Sequence, residues 1–150
     1  MRRFHRRKFL AAVDKAAVKK AIEEAERMTS GEIRVSVSTY FWGSTRRAAG
    51  RAFTRLGMAA TRDRNGVLLF IVPSKRKFVI LGDEGIHAKA GQEFWESLSS
   101  ILSSAFKKGA FTEGLVSAIR EAGRKLAAHF PCSPETDVNE LSDDVDFGEA

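Results

Sequence analysis

The chain has one cysteine, Cys132, and three prolines in 150 residues. A single thiol excludes an internal disulfide and fits a reducing compartment. No apolar run approaches the roughly 18 residues that a membrane helix needs. The start, MRRFHRRKFLAAVDKAAVKKAIEE, has basic residues but no apolar h-region, since Asp14, Lys15, Lys19 and Lys20 interrupt it. It is therefore not read as a signal peptide, and a cytoplasmic location is expected. His5, His87 and His129 are scattered, and no paired His/Cys spacing of a zinc site occurs. The sequence lacks a Walker glycine loop and a Cys-x5-Arg nucleophile loop, and Gly82-Asp83-Glu84-Gly85 is not a dinucleotide fingerprint. No Ser-His-Asp set can be argued from order alone.

What is present is a globular composition, 43% hydrophobic and 29% charged. A single domain of this length buries about 68–70% of its unfolded surface and needs no staples. Charge is segregated. Residues 135–150 hold seven acids and no base, while the rest carries 25 bases against 12 acids, a surplus of 13. Such a tail either folds back on the basic body or stays solvated. It has few large apolar anchors, which predicts a loosely ordered segment over 131–150.

The chain is organised around residues 61–84. Gly66–Val72 is a continuous apolar run, as expected of a strand buried on both faces. Residues 73–76 break it, and Phe78-Val79-Ile80-Leu81 returns, stopped by Gly82-Asp83-Glu84-Gly85. Two such runs around a tight connection predict an antiparallel hairpin. Upstream, residues 9–28 carry apolar groups at spacings of 3 and 4, predicting one helix closed by Gly31. Residues 32–38 alternate Ile33, Val35, Val37 with Arg34, Ser36, Ser38, predicting a strand nearer an edge. A helix capped by Ser44 or Thr45 and reaching about Ala60 follows, with Arg47, Arg51 and Arg55 lined on its outer face. Strand, helix, strand is a βαβ unit, so the first two strands are expected to be parallel. Residues 92–108 and a segment capped by Thr112 predict two further helices. The fold class is α/β: a three-layer α/β/α sandwich whose mixed sheet joins a parallel βαβ unit to an antiparallel hairpin strand.

This topology sorts the candidate functional residues onto two ends of the sheet. Glu32, Asp63, Asn65, Asp83 and Glu84 gather at one end. Oxygen donors from several loops are what a hard cation such as Ca2+ takes, usually about six to eight. The bland alternative is acids that cap helices and face water, Asp83 or Glu84 among them. The other end holds Ser38, Thr39, Tyr40, Trp42, Ser74, Lys75 and Arg76. Ligands favour the carboxyl ends of parallel strands, so Ser74, Lys75 and Arg76 form a candidate anion site, with a plain basic turn as the alternative. Arg2, Arg3, Arg6, Arg7 and Lys8 offer a third surface, for anionic membrane or nucleic acid, against a solvated face.

Four motifs occur in the order of a known family. They are Ala25-Glu26 with Thr29-Ser30-Gly31-Glu32-Ile33-Arg34-Val35, then Asn65-Gly66-Val67-Leu68-Leu69-Phe70, then Lys77 through Ile86, then Phe106-Lys107-Lys108-Gly109 with Phe111, Gly114 and Leu115. Over about residues 8–130 the chain resembles the TPM domain family, and its short stand-alone cytosolic branch in particular, which ends in an acidic Asn-Glu-Leu tail like Asn139-Glu140-Leu141. The resemblance implies a TPM-like domain over 1–130, an α/β/α sandwich, calcium binding in some members and a weak acid phosphatase activity in a plant member. The chain departs from many members at Arg64, where they place an aspartate. The expected function is a non-catalytic calcium-binding or protein-interaction module. The alternatives are a metal-assisted phosphatase, with Asp63, Asp83 and Glu84 holding the ion, and an adaptor acting through the basic start.

Overall fold

A computed structural model describes residues 6–39, 41–132 and 145–146. Among these residues three strands form one sheet in the order β1-β2-β3: β1 (Glu32–Val37), β2 (Gly66–Val72) and β3 (Lys77–Gly82). β1 pairs parallel to β2, with Glu32 opposite Gly66, and β3 returns antiparallel, with Val67 opposite Gly82. The βαβ unit, the hairpin and the central place of the VLLFIV strand agree with the sequence reading.

Among the described residues six helices surround the sheet: α1 (Arg6–Ala12), α2 (Lys15–Glu26), α3 (Thr45–Arg55), α4 (Glu84–Lys89), α5 (Gln92–Lys107) and α6 (Phe111–His129). Residues of a strand alternate between faces. Ile33, Val35, Val37, Val67, Leu69 and Ile71 pack with the apolar stripes of α1, α2, α5 and α6. Leu68, Phe70 and Val72 pack instead with Ala48, Ala49, Ala52 and Met58 of the α3 layer. Two cores on two faces of one sheet make the α/β/α sandwich.

Several local expectations are corrected. The predicted helix over residues 9–28 is two helices, because the Asp14 carboxylate accepts a hydrogen bond from the Ala17 amide at 3.0 Å and caps a fresh start. Gly31 does not lie in the left-handed region; among the described glycines only Gly43, Gly57 and Gly109 have positive φ. The turn after α2 is closed by Thr29, whose hydroxyl donates to the Phe130 carbonyl at 2.5 Å. The third helix ends at Arg55, and a 3-10 turn, Met58–Ala60, follows it. Thr112 does not cap α6; its hydroxyl accepts from the Asp14 amide at 3.0 Å, tying α2 to α6.

β1 lies at an edge of the sheet, as its polar face led us to expect, but that face is not open to water. Glu32, Arg34 and Ser36 are all buried. Arg34 lies between Glu26 and Glu32, within hydrogen-bond reach of both, at 2.9 Å from Glu32. A buried charge needs such partners. Most of the acidic tail falls outside the described residues, so its expected looseness is not judged there. Val145 and Asp146, which are described, sit on β1: Asp146 bridges Ser36 in parallel register.

Candidate functional site

The amino end of β1 and β2 and the carboxyl end of β3 meet, as the antiparallel return requires. The Glu32 amide donates to the Asn65 carbonyl at 3.4 Å, and the Asp83 amide to the Gly66 carbonyl at 3.0 Å. Gly85 closes the corner. Its amide donates to the Arg64 carbonyl at 2.9 Å, and a Cβ there would stand 2.2 Å from the Asp63 carbonyl oxygen. Hydrogen-bonded backbone or close backbone approach thus brings segments 63–66, 82–85 and Glu32 to one rim.

The side chains are distributed differently from the backbone. Arg64 adopts a left-handed conformation, φ +51°, uncommon for a non-glycine residue. Its guanidinium forms a two-pronged fork on Asp83: Nε donates to Oδ2 at 2.6 Å and Nη2 to Oδ1 at 2.8 Å. Nη1 stands 3.5 Å from the exposed Glu84 carboxylate. Planar, two-point pairing of this kind is specific to arginine. Asp83 also caps α4, accepting from the Glu84 amide at 2.8 Å. The capping alternative is therefore realised, on a six-residue helix that the sequence reading passed over.

Asp83 is buried, 6% exposed. Burial is the largest influence on its carboxyl and pushes the pKa up. The Arg64 fork and the Glu84 amide together outweigh it, and the carboxyl lies below its ordinary value. Arg64 is correspondingly raised, chiefly by its hydrogen bond to Asp83.

The other candidate donors are engaged elsewhere or apart. Glu32 is held by Arg34 at 2.9 Å. The Asn65 side-chain amide donates to Ser30 at 3.2 Å. Asp63 is exposed and lies 3.9 Å from Arg62. Among the described residues, no group of three or more His, Cys, Asp or Glu side chains is arranged to hold a metal. Asp83 is thus paired with a guanidinium and Glu32 with Arg34. Arg64 stood out in the sequence as a departure, but its pairing with Asp83 was not read. The signal was an arginine directly before Asn65-Gly66, in a turn whose far side must hold Asp83.

At the opposite end, Lys75 donates to the Gly43 carbonyl at 3.0 Å and lies over the Phe41 ring at 4.1 Å. Arg76 has φ +51° and ends the 3-10 turn Pro73–Lys75. Lys75 and Arg76 line an open cleft of about 550 Å³ with Gly43, Ser44 and Thr45; Ser74 lies in the same turn. A second, more apolar hollow of about 620 Å³ lies between Phe9, Phe78, Phe106 and Phe111 and is rimmed by Arg76, Lys77, Lys107 and Lys108. Of the basic start, Arg2 and Arg3 lie outside the described residues, Arg6 opens α1, and Arg7 and Lys8 are exposed on it. Arg47 and Arg51 face water, whereas Arg55 turns to Asp146. Among the described residues no helix is long and apolar enough to cross a membrane.

Comparison with known proteins identifies the family and the fold. A family model for the TPM domain matches residues 4–125. The chain is similar to the BA42 protein of the psychrophilic bacterium Bizionia argentinensis, at 36% identity and a TM-score of 0.84, covering 89% of this chain and 92% of that one. It shares the fold of an N-terminal domain from P. gingivalis, at 18% identity and a TM-score of 0.62 over 87% of this chain and 96% of that one. An N-terminal domain from Corynebacterium glutamicum has a TM-score of 0.59 at 13% identity, over 79% and 74%. No curated protein matches the chain.

Proposed function

The chain belongs to the TPM domain family, and from that premise we propose that it is a non-catalytic interaction module whose sheet end is closed by an internal guanidinium. The observation that carries this reading is the Arg64 fork on Asp83, with Glu84 beside it. A divalent cation at such a rim neutralises carboxylates and ties loops together. Here Arg64 joins segment 63–66 to the start of α4 by charge and by two directed hydrogen bonds. The fork is covalently tethered, so it needs no free ion.

Calcium binding would use Asp63, Asp83 and Glu84 and would require Arg64 to leave Asp83. Phosphatase chemistry at the same residues would require that ion first. The reading is therefore tested by a calcium titration followed residue by residue in the wild type and in Arg64→Asp. The wild type is expected to give no saturable shift at Asp83 or Glu84 up to about 1 mM, the weak end of protein calcium sites. Arg64→Asp, which adds a carboxylate and removes the cation, is expected to gain calcium-dependent shifts there. Hydrolysis of p-nitrophenyl phosphate is expected to be indifferent to a chelator. Saturable calcium shifts in the wild type, or chelator-sensitive turnover, would overturn the proposal.

A further inference from the structure

The free edge of β1 is occupied by two residues of the chain's own tail, and the contacts are those of a recognition site. The Asp146 amide donates to the Val35 carbonyl at 2.9 Å, and the Val37 amide donates to the Asp146 carbonyl at 2.8 Å. Those two bonds add one rung to the sheet beside β1. The Asp146 carboxylate then enters a polar niche. Ser36 Oγ donates to Oδ2 at 2.7 Å, Arg55 Nη2 to Oδ2 at 2.7 Å and Nη1 to Oδ1 at 3.1 Å. The preceding residue, Val145, is 9% exposed and joins the apolar cluster that contains Ile33, Val35 and Val37. One residue thus makes five directed hydrogen bonds while its neighbour is buried in the core.

The β1 backbone, Ser36, and Arg55 in the last turn of α3, which receive this pair, belong to the folded body. The backbone bonds would accept any extended segment. The Arg55–Ser36 niche selects a carboxylate, and the apolar cluster selects the residue before it. Affinity from the main chain and selectivity from side-chain pockets is how peptides bind by strand addition.

We propose that the β1 edge is a peptide-binding site for an extended segment of another protein carrying an apolar residue followed by aspartate, kept filled in cis by Val145-Asp146. The proposal deepens the reading as an interaction module and rests on it, but it uses no group of the Arg64–Asp83 rim. A tethered ligand acts at an effective concentration of order mM. If the segment's own affinity lies in the range of about 10–100 μM, freeing the site raises apparent affinity for an outside peptide about 10- to 100-fold.

The test uses the full chain with Asp146→Pro, which removes both the amide donor to Val35 and the carboxylate. The probe is a labelled peptide of residues 141–150, followed by fluorescence anisotropy. Saturable binding to Asp146→Pro is expected, with at least tenfold weaker binding to the wild type. Binding is expected to vanish with a probe carrying Asp146→Asn and with the receptor Asp146→Pro/Arg55→Ala. Amide exchange supplies a second measure: the Val37 N–H is protected in the wild type, exchanges faster in Asp146→Pro, and regains protection with saturating probe. Equal binding to both receptors, indifference to Arg55→Ala, or unchanged Val37 exchange would overturn the proposal. A wild-type dimer that Asp146→Pro dissolves would also overturn it, by showing the tail seated in a second copy. The calcium titration of the same variant reads the other rim and is expected to match the wild type, so the two readings fail separately.

Discussion

Gly85→Ala puts two opposing effects in competition at the corner that aligns Arg64 with Asp83. Gly85 lies in α4, where replacing glycine by alanine gains at most about 1 kcal/mol of helix propensity. Against this stands space. The new Cβ would lie 2.2 Å from the Asp63 carbonyl oxygen and 2.6 Å from that of Arg64. Both obstacles are backbone atoms, so no side chain can swing away to relieve them. Forced shifts of this kind cost about 1–3 kcal/mol, and parting the Gly85 amide from the Arg64 carbonyl costs about 1 kcal/mol more. Overlap wins, with a net loss of about 1–3 kcal/mol. Gly50→Ala is the matched control: Gly50 sits within α3, and among the described residues no atom outside its neighbours and its own helix backbone would lie within 4 Å of a Cβ there. There only propensity acts, and a gain of about 0.5–1 kcal/mol is expected. Urea unfolding of both variants reads the difference, since slopes of about 1–3 kcal/mol per M convert it to a midpoint lowered by about 1 M for Gly85→Ala. A Gly85→Ala chain as stable as Gly50→Ala would refute the close backbone approach and, with it, the position of Arg64 over Asp83.

The depressed Asp83 carboxyl contributes stability that is fully present above its unfolded value of about 3.9 and is lost as pH falls through its lower folded value. In Arg64→Ala the burial that pushes Asp83 upward loses its main opponent, so this contribution is expected to fall as pH rises through about 4 instead; urea unfolding against pH shows the change of slope, and identical slopes would refute it. Ile119→Ala, at a fully buried position on α6, is expected to lose about 2–5 kcal/mol in the same assay. Gly123→Ala would place its Cβ 2.7 Å from the Ala25 Cβ, forcing α6 from α2, and a lowered melting temperature is expected.

The parts that were legible in the sequence have one-dimensional signals. VLLFIV is apolar at every position because both faces of β2 are covered, and its bounds, Gly66–Val72, match those read from the apolar run. The gathering of Glu32, Asp63 and Asp83 at one rim followed from strand direction alone. What those carboxylates touch did not follow. The Arg64 fork joins residues 19 positions apart and depends on a left-handed turn that arginine rarely adopts. The alternation of Arg34 with apolar residues pointed to an edge strand, which β1 is, but not to the burial of Arg34 between Glu26 and Glu32, which supply its counter-charges. The Asp14 break and the short α4 each carried a capping aspartate, a readable sign that periodicity overrode. Asp146 on Arg55 spans 91 positions, and composition could say only that an acidic tail accompanies a basic body.

Trp95 gives the acidic rim an optical reporter. Its indole lies so close over Gly82 that a Cβ there would stand 2.1 Å from the ring, and it stacks on His87 at 5.1 Å between centroids. Gly82 is followed directly by Asp83, so displacement of the guanidinium would be felt by this ring through one residue of backbone. The remaining tryptophan, Trp42, is 86% exposed and emits as a solvated background. Emission of the unlabelled chain therefore follows the state of that corner.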